Sequence, residues 1–213
     1  PRLRMGPPPH ELVLEHVHGF RGRDARGSLH ALACGDLFFP AAGVCVVMDA
    51  ASREQEFFSE HEREVTASAV HPGGVLVATG EAGREPLVIV WDAERMQAQA
   101  RLGACSLEGL TSYGGPVRAL AFSPCGARLV ALGGDSHNTL VVWDWRAKTP
   151  LFGTRTGRHA VLAAAFAPRA PGVTGGPASL VVCGVQHAAF FTLGRRGRAP
   201  GGRRGSVGAG EAE

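Results

Sequence analysis

The sequence predicts an all-β chain made of a series of similar sheets, and three observations carry that expectation. Short apolar runs alternate with clusters of Gly and Pro, which number 30 and 14 among 213 residues. Strands joined by tight turns need such punctuation, whereas long helices do not tolerate it. A unit also recurs: VTASAVHPGGVLVATGEAG…LVIVWD, from Val65, is echoed by VRALAFSPCGARLVALGGD…LVVWDW and more faintly by VLAAAFAPRA…SLVVCGVQHAAFFTL. Finally, Trp91–Asp92 and Trp143–Asp144 end the same predicted strand in successive copies.

Residues 1–10 (PRLRMGPPPH) are Pro-rich and expected to be disordered. Between 11 and 59, three apolar runs, Leu12–Val17, Leu29–Cys34 and Val44–Met48, are expected as strands of an antiparallel meander. Residues 60–193 hold the three repeats, each an apolar strand, a Pro turn, a second strand, a polar turn and a third strand ending at an aromatic. His71–Pro72, Ser123–Pro124 and Ala167–Pro168 mark the Pro turn, spaced 52 and 44 residues; Trp91, Trp143 and Phe191 mark the strand end, spaced 52 and 48. Insertions account for the excess: Arg84–Pro86 lengthens a turn, Leu102–Tyr113 a link, and Pro171–Ser179 separates two strands of the third copy.

A period of this length with Trp-Asp pairs is the pattern of WD-repeat β-propeller blades. The chain holds material for about three to four blades, whereas propellers close with about four to eight, so a partial or unclosed propeller is expected. Residues 194–213 (GRRGRAPGGRRGSVGAGEAE) hold almost no large apolar residue and are expected to be disordered.

The terminal Trp of a blade supplies a large packing face and an N–H that needs a partner when buried. In well-formed repeats that partner belongs to a network of His, Asp, Ser or Thr, and Trp. The first copy offers His61, Thr79 and Trp91, but its GEAGREP turn lacks the expected Asp. The second offers Asp135 and Trp143, with Gly114–Gly115 where a His would stand. The third keeps His159, and Phe191 replaces the Trp, retaining the ring and losing the donor. The blades are therefore expected to be held more by packing than by polar contacts.

Composition excludes several function classes. The formal charge of +3 resides in the tail from Gly194, with five Arg against two Glu, so residues 1–193 sum to zero and show no net basic field for nucleic acid. The longest apolar stretch, Ala160–Ala167, is far short of the ~20 residues of a membrane-spanning helix. Five scattered cysteines without CxxC spacing fit buried thiols in a reducing compartment, with Cys45 and Cys183 expected as core thiols. No GxSxG, HExxH or GxxxxGK motif is present, so neither catalytic residues nor a cofactor is expected.

A more specific likeness lies at residues 12–29. LVLEHVHGFRGRDARGSL resembles the hydrophobic HELP motif of the echinoderm microtubule-associated protein-like family, at Leu12, Leu14, Glu15, Val17, Gly19, Phe20, Arg21, Gly22, Asp24, Arg26 and Leu29. The resemblance continues collinearly through AGVCVVMD (Ala42–Asp49), HPGGVLVATGEAG, WDWRAK (Trp143–Lys148) and CGVQHAAFFTL (Cys183–Leu193). His16 and His18 stand where the family favours aromatic residues, and Phe191 stands for a Trp. The resemblance implies a tandem β-propeller module, its first propeller built partly by the HELP segment, that associates with tubulin or microtubules. Cytoplasmic, cytoskeletal placement follows from the same resemblance. The alternative is a general WD-repeat scaffold for other protein complexes.

Three local features invite sharper readings. Arg21, Arg23 and Arg26 form a cation cluster suited to acidic partners such as tubulin tails, or else a solvated turn in which Asp24 pairs with one of them. His16 and His18 on one face of a strand are a conceivable metal pair without a third ligand near in sequence; as the alternative they are half-buried replacements for aromatics. Arg203-Arg204-Gly205-Ser206 resembles a site for a basic-directed kinase.

Overall fold

The computed structural model describes residues 12–20, 22, 27–103, 106–107, 110–111, 114–168, 178–185, 187–193 and 203–205. Among these there is no helix. The chain forms four antiparallel four-stranded sheets, each a simple meander, and one short hairpin. The first sheet contains β1 (His30–Ala31), β2 (Leu37–Ala41), β3 (Val44–Met48) and β4 (Gln55–Phe58). The second contains β5 (Val65–Val70), β6 (Leu76–Glu81), β7 (Val88–Asp92) and β8 (Gln97–Leu102). The insertion that follows folds as its own hairpin, β9 (Ser106–Leu107) and β10 (Leu110–Thr111). The third sheet is β11 (Val117–Phe122), β12 (Arg128–Gly133), β13 (Thr139–Asp144) and β14 (Thr149–Arg155). The fourth is β15 (Val161–Phe166), β16 (Ala178–Gly184), β17 (His187–Leu193) and β18 (Arg203–Gly205).

The registers make the last three sheets equivalent residue by residue. Val65 pairs with Glu81, Val117 with Gly133 and Val161 with Gly184. Each pairing is followed by a bulge that skips one residue, at Thr66, Arg118 and Leu162, and a bulge at a fixed place bends the inner strand in the same way each time. Trp91 then faces Val77, Trp143 faces Leu129, and Phe191 faces Leu180. Phe191 therefore occupies the Trp position, as the spacing predicts.

Burial follows the same order. Strand β7 is buried at all five residues because neighbouring sheets cover both its faces, while the outermost strand of that sheet, β8, has exposed residues at alternate positions. The core lies between sheets rather than inside them. One cluster joins Phe38, Cys45 and Phe58 of the first sheet to Val77, Ile89 and Trp91 of the second. A second cluster joins Ala78, Val88 and Val90 to Leu120, Leu129 and Trp143. The third joins Val130, Leu140 and Val142 to Ala164, Leu180 and Leu193. Sheets stacked this way form a partial propeller: the first sheet and the fourth do not close on one another.

Three expectations are corrected here. Residues 12–17 are not a strand; the side chain of Gln55 takes the place of a neighbouring strand, its Oε1 accepting from Val17 N at 2.8 Å and its Nε2 donating to Val17 O at 3.1 Å. From the run Leu29–Cys34 only His30–Ala31 is a strand, because Leu32 N donates to Asp36 O at 2.9 Å and Gly35, at φ +98°, turns the chain. The tail expected to be disordered supplies β18, which pairs with β17 as the fourth strand of its sheet. Residues 1–10, 194–202 and 206–213, also expected to be disordered, lie outside the described residues.

Candidate functional site

The densest polar constellation sits at the joint between the first and second sheets. His61, on the loop entering β5, points both ring nitrogens into the second sheet: Nδ1 lies 3.1 Å from Glu81 Oε2 and Nε2 lies 2.7 Å from Thr79 Oγ1. Trp91 Nε1 donates to the same Thr79 oxygen at 3.1 Å, and Leu87 N donates to Glu81 Oε1 at 3.3 Å. All four side chains are buried. Indole is only a donor, so Thr79 Oγ1 accepts from it; the hydroxyl proton has two acceptors within reach, the Ile89 carbonyl at 3.5 Å and His61 Nε2 at 2.7 Å, and is assigned to the shorter contact. His61 is therefore neutral, carries its proton on Nδ1 and donates it to the Glu81 carboxylate. Burial lowers the His61 pKa below the ordinary imidazole value; Glu81 and Glu60 oppose this and Arg101 adds to it.

Packing reinforces this joint. Phe58 stacks on Trp91 with centroids 4.4 Å apart and planes 2° from parallel, and Phe38 meets the same indole edge-on at 5.6 Å. Cys45 lies in this cluster, and burial pushes its thiol pKa up to about 12.

The second-to-third joint uses a different device. The carbonyl of Gly126, in the β11–β12 turn, accepts from Trp145 Nε1 at 2.8 Å and lies 3.2 Å from His71 Nε2 of the β5–β6 turn. Arg146 stacks over Trp145 at 4.4 Å, and Phe122 meets His71 edge-on at 5.1 Å. At the third-to-fourth joint Asn138, held at φ +48°, donates through Nδ2 to Gly157 O at 2.8 Å and His159 O at 2.9 Å.

The Asp of each Trp-Asp pair closes the following turn rather than joining a network. Asp92 Oδ1 accepts from Glu94 N and Arg95 N at 3.0 Å, and Asp144 Oδ1 from Ala147 N at 3.0 Å. Asp49 does the same with Ala51 N at 2.8 Å and Ser52 N at 2.6 Å. Four residues after each Asp, the chain enters the left-handed region at Arg53, Met96 and Lys148. Met48–Asp49 is thus the first sheet's version of Trp-Asp, with only the acid retained.

The remaining predicted residues divide as follows. His61, Thr79 and Trp91 meet, and Glu81 fills the role of the Asp missing from GEAGREP; a longer acid at the strand end reaches what an Asp on the turn would reach. Asp135 does not meet Trp143: its carboxylate accepts from His137 N at 2.8 Å and Thr139 N at 3.1 Å, closing its own turn. Trp143 Nε1 is buried without an acceptor among the described residues, because Ala131 stands at the register position of Thr79. His159 is exposed, its ring 6.1 Å from that of His187, and Phe191 packs with Phe152 at 6.3 Å.

Cys183 is exposed rather than in the core, since it lies on the face of β16 opposite buried Leu180 and Val182. His16 and His18 are exposed rather than half-buried, their rings 4.5 Å apart, with His16 Nε2 3.3 Å from Gln55 Nε2. Among the described residues no three His, Cys, Asp or Glu side chains are grouped to hold a metal ion. Arg21, Arg23, Arg26 and Ser206 lie outside the described residues.

Comparison with known proteins agrees with this architecture. The HELP motif model matches residues 7–46, and the WD domain, G-beta repeat model matches residues 52–92 and 105–144. The chain is 33% identical over 200 residues to echinoderm microtubule-associated protein-like 4 of Xenopus laevis, which spans 89% of this chain and 20% of that protein. It is 31% identical over 196 residues to the human protein named echinoderm microtubule-associated protein-like 1, spanning 87% of this chain and 23% of the relative. For human echinoderm microtubule-associated protein-like 2 the identity is 32% over 192 residues, 85% of this chain and 28% of the relative. The chain thus spans about a fifth to a quarter of the length of the curated relatives it matches. With the HELP motif, the repeats and the sheet equivalences in one collinear order, the chain carries a HELP motif and WD repeats and is similar over most of its length to proteins named echinoderm microtubule-associated protein-like.

Proposed function

We propose that this chain is a non-catalytic binding module that associates with tubulin or microtubules through the surface of its partial propeller. The observation that carries the reading is the collinear similarity, across 89% of the chain, to proteins whose names state microtubule association. The fold suits the role. Buried His61, Glu81 and Thr79 are engaged in holding sheets together, and the loops at the sheet ends are displayed on a rigid strand framework, the usual setting for recognition. In this reading Arg21, Arg23 and Arg26 contact acidic segments of tubulin, an attraction that weakens as salt screens it. The site of action is cytoplasmic, at the cytoskeleton.

Co-pelleting with polymerised microtubules, paired with gel filtration against soluble tubulin, tests this directly. The chain is expected in the pellet or in a complex with soluble tubulin, with less of either at raised ionic strength. Reversing all three arginines to Glu is expected to cut binding severalfold; unchanged binding removes the cluster from the interface. A chain that stays in the supernatant and elutes apart from tubulin overturns the proposal and favours a scaffold for other protein complexes.

A further inference from the structure

Charge is divided along this chain although residues 1–193 sum to zero. Residues 27–103 hold eleven acidic side chains against five Arg, whereas residues 114–168 hold two acidic side chains against five Arg and one Lys. The division shows on one rim of the stack. In each meander the first and third turns leave from the same end, and turns of neighbouring sheets touch there. Ala33 N donates to Gly74 O at 3.0 Å, and His71 Nε2 lies 3.2 Å from Gly126 O. Along this rim the first sheet carries Arg53 among Asp36, Asp49 and Glu54, and the second carries Arg95 beside Asp92 and Glu94. The third sheet reverses the balance, with Arg128, Arg146 and Lys148 around Asp144. That sheet is packed on both faces, by the second and the fourth, so its turns are a side of the stack.

These cations lack carboxylate partners. Arg95 Nη1 pairs with Asp92 Oδ2 at 3.2 Å, but Arg128, Arg146 and Lys148 form no ion pair among the described residues. Asp144, the register partner of Arg128, turns its Oδ1 onto Ala147 N at 3.0 Å. Arg146 is held by other means: its guanidinium lies 4.4 Å over the Trp145 ring, and its Nη1 is 3.5 Å from Gly126 O. Trp145 is itself pinned, because its Nε1 donates to the same carbonyl at 2.8 Å. A guanidinium stacked in this way keeps in-plane N–H groups for a carboxylate. Lys148 follows in the left-handed region at φ +55°, within the same turn. Arg146 and Lys148 are exposed, and so are Pro124, Cys125 and Ala127 of the adjoining turn.

We propose that the β11–β12 and β13–β14 turns form a binding site for a short, extended acidic peptide segment, whose carboxylates are taken by Arg128, Arg146 and Lys148. Because Arg146 is already stacked, it loses little freedom on binding. The neighbouring rims limit what fits. A long polyanion such as nucleic acid would run from the third sheet onto Glu94, Asp92 and Asp49 and be repelled, whereas a few carboxylates reach no further than the cations. The inference does not rest on the tubulin reading: it defines the partner by carboxylates alone and uses none of Arg21, Arg23 and Arg26.

Fluorescence anisotropy of an N-terminally labelled hexaglutamate peptide, titrated with the whole chain at low ionic strength, tests it. Saturable binding is expected, weakening as salt screens the charges. Arg146→Glu combined with Lys148→Glu should weaken it by about tenfold or more, since two attractions become repulsions. Arg53→Glu combined with Arg95→Glu makes the same change of net charge on the same rim and should alter binding by less than about twofold. A second measurement uses the unaltered chain. Lys148 is its sole lysine, so saturating peptide should slow side-chain amine acetylation, read by peptide mass mapping. Absence of saturable binding, or acetylation of Lys148 at an unchanged rate, overturns the proposal. Equal effects of the two double variants also overturn it, because overall charge alone would then explain the binding. Tighter capture of an oligothymidylate of equal charge would replace the carboxylate partner with nucleic acid.

Discussion

The second and third sheets superimpose in register, bulge and turn, yet they treat the same indole in opposite ways. In the second, Trp91 Nε1 donates to Thr79, and the contacts run on through His61 to Glu81. In the third, Ala131 stands in the place of Thr79, and Trp143 Nε1 is buried with no acceptor among the described residues. The third sheet is fastened elsewhere, through the Gly126 carbonyl on one side and Asn138 on the other. The difference shows that the Trp position serves two separable ends. Its ring fills the space between sheets in both units, while its N–H contributes only where a hydroxyl waits for it.

The largest effect that would test this contrast comes from Thr79. Thr79→Val keeps the shape but leaves the Trp91 N–H and His61 Nε2 unpaired in a dry joint, and should lower the unfolding free energy by about 2 kcal/mol or more. Ala131→Thr, which offers Trp143 its acceptor, should cost less than that or raise stability. Urea unfolding of both variants decides it, and equal losses would break the distinction.

A smaller effect separates the two indoles. Trp91→Phe and Trp143→Phe lose similar volume, so the packing cost is shared. Only the first also loses a satisfied bond, and it should be the more destabilising by about 1 kcal/mol. Matched denaturation midpoints would show that the Trp91 bond contributes nothing.

The smallest effect is the dependence on acid. Burial lowers the pKa of His61, and likewise of His30 and His71, below the ordinary imidazole value. As the pH falls, the unfolded chain takes up these protons first. Stability present above the ordinary histidine pKa is therefore lost progressively as the pH drops through it toward the folded values. The urea midpoint should fall between neutral and mildly acidic pH, and His61→Gln should flatten part of that slope. A midpoint that holds steady or rises on acidification contradicts the assignment of a neutral His61.

How far the sequence foretold this structure varies with the element. Strands β3, β5 to β7 and β11 to β13 stood out because each is an apolar run bounded by a turn residue whose backbone demands were explicit. The Phe191 position was legible because spacing alone places it. Strands β2 and β4 were hidden: LFFPA carries a proline that reads as a break, and QEFF is too short to show alternation. Residues 12–17 read as a strand because their apolar pattern suits one, but a single Gln55 side chain decides where they lie. Glu81 is not legible because the repeat pattern puts an Asp on the turn, whereas a carboxylate one methylene longer reaches the His61 ring from the strand end. Cys183 was misplaced because an apolar run does not reveal which of its two faces meets a neighbour. Of the candidate binding site, the arginine cluster was legible as charge alone, and charge does not fix a geometry.

The WD repeat match over residues 52–92 includes β4 of the first sheet together with β5, β6 and β7 of the second. That match is staggered by one strand from the sheet that folds, whereas the match over residues 105–144 begins after β8 and holds only β11, β12 and β13 of the third sheet beside the β9–β10 hairpin. Excising or transplanting a repeat at residue 52 would rob one sheet of its outer strand and carry away an unmatched one. The matched segment therefore ties the first sheet to the second by continuous polypeptide, so these two sheets cannot be separated at residue 52 without breaking one of them.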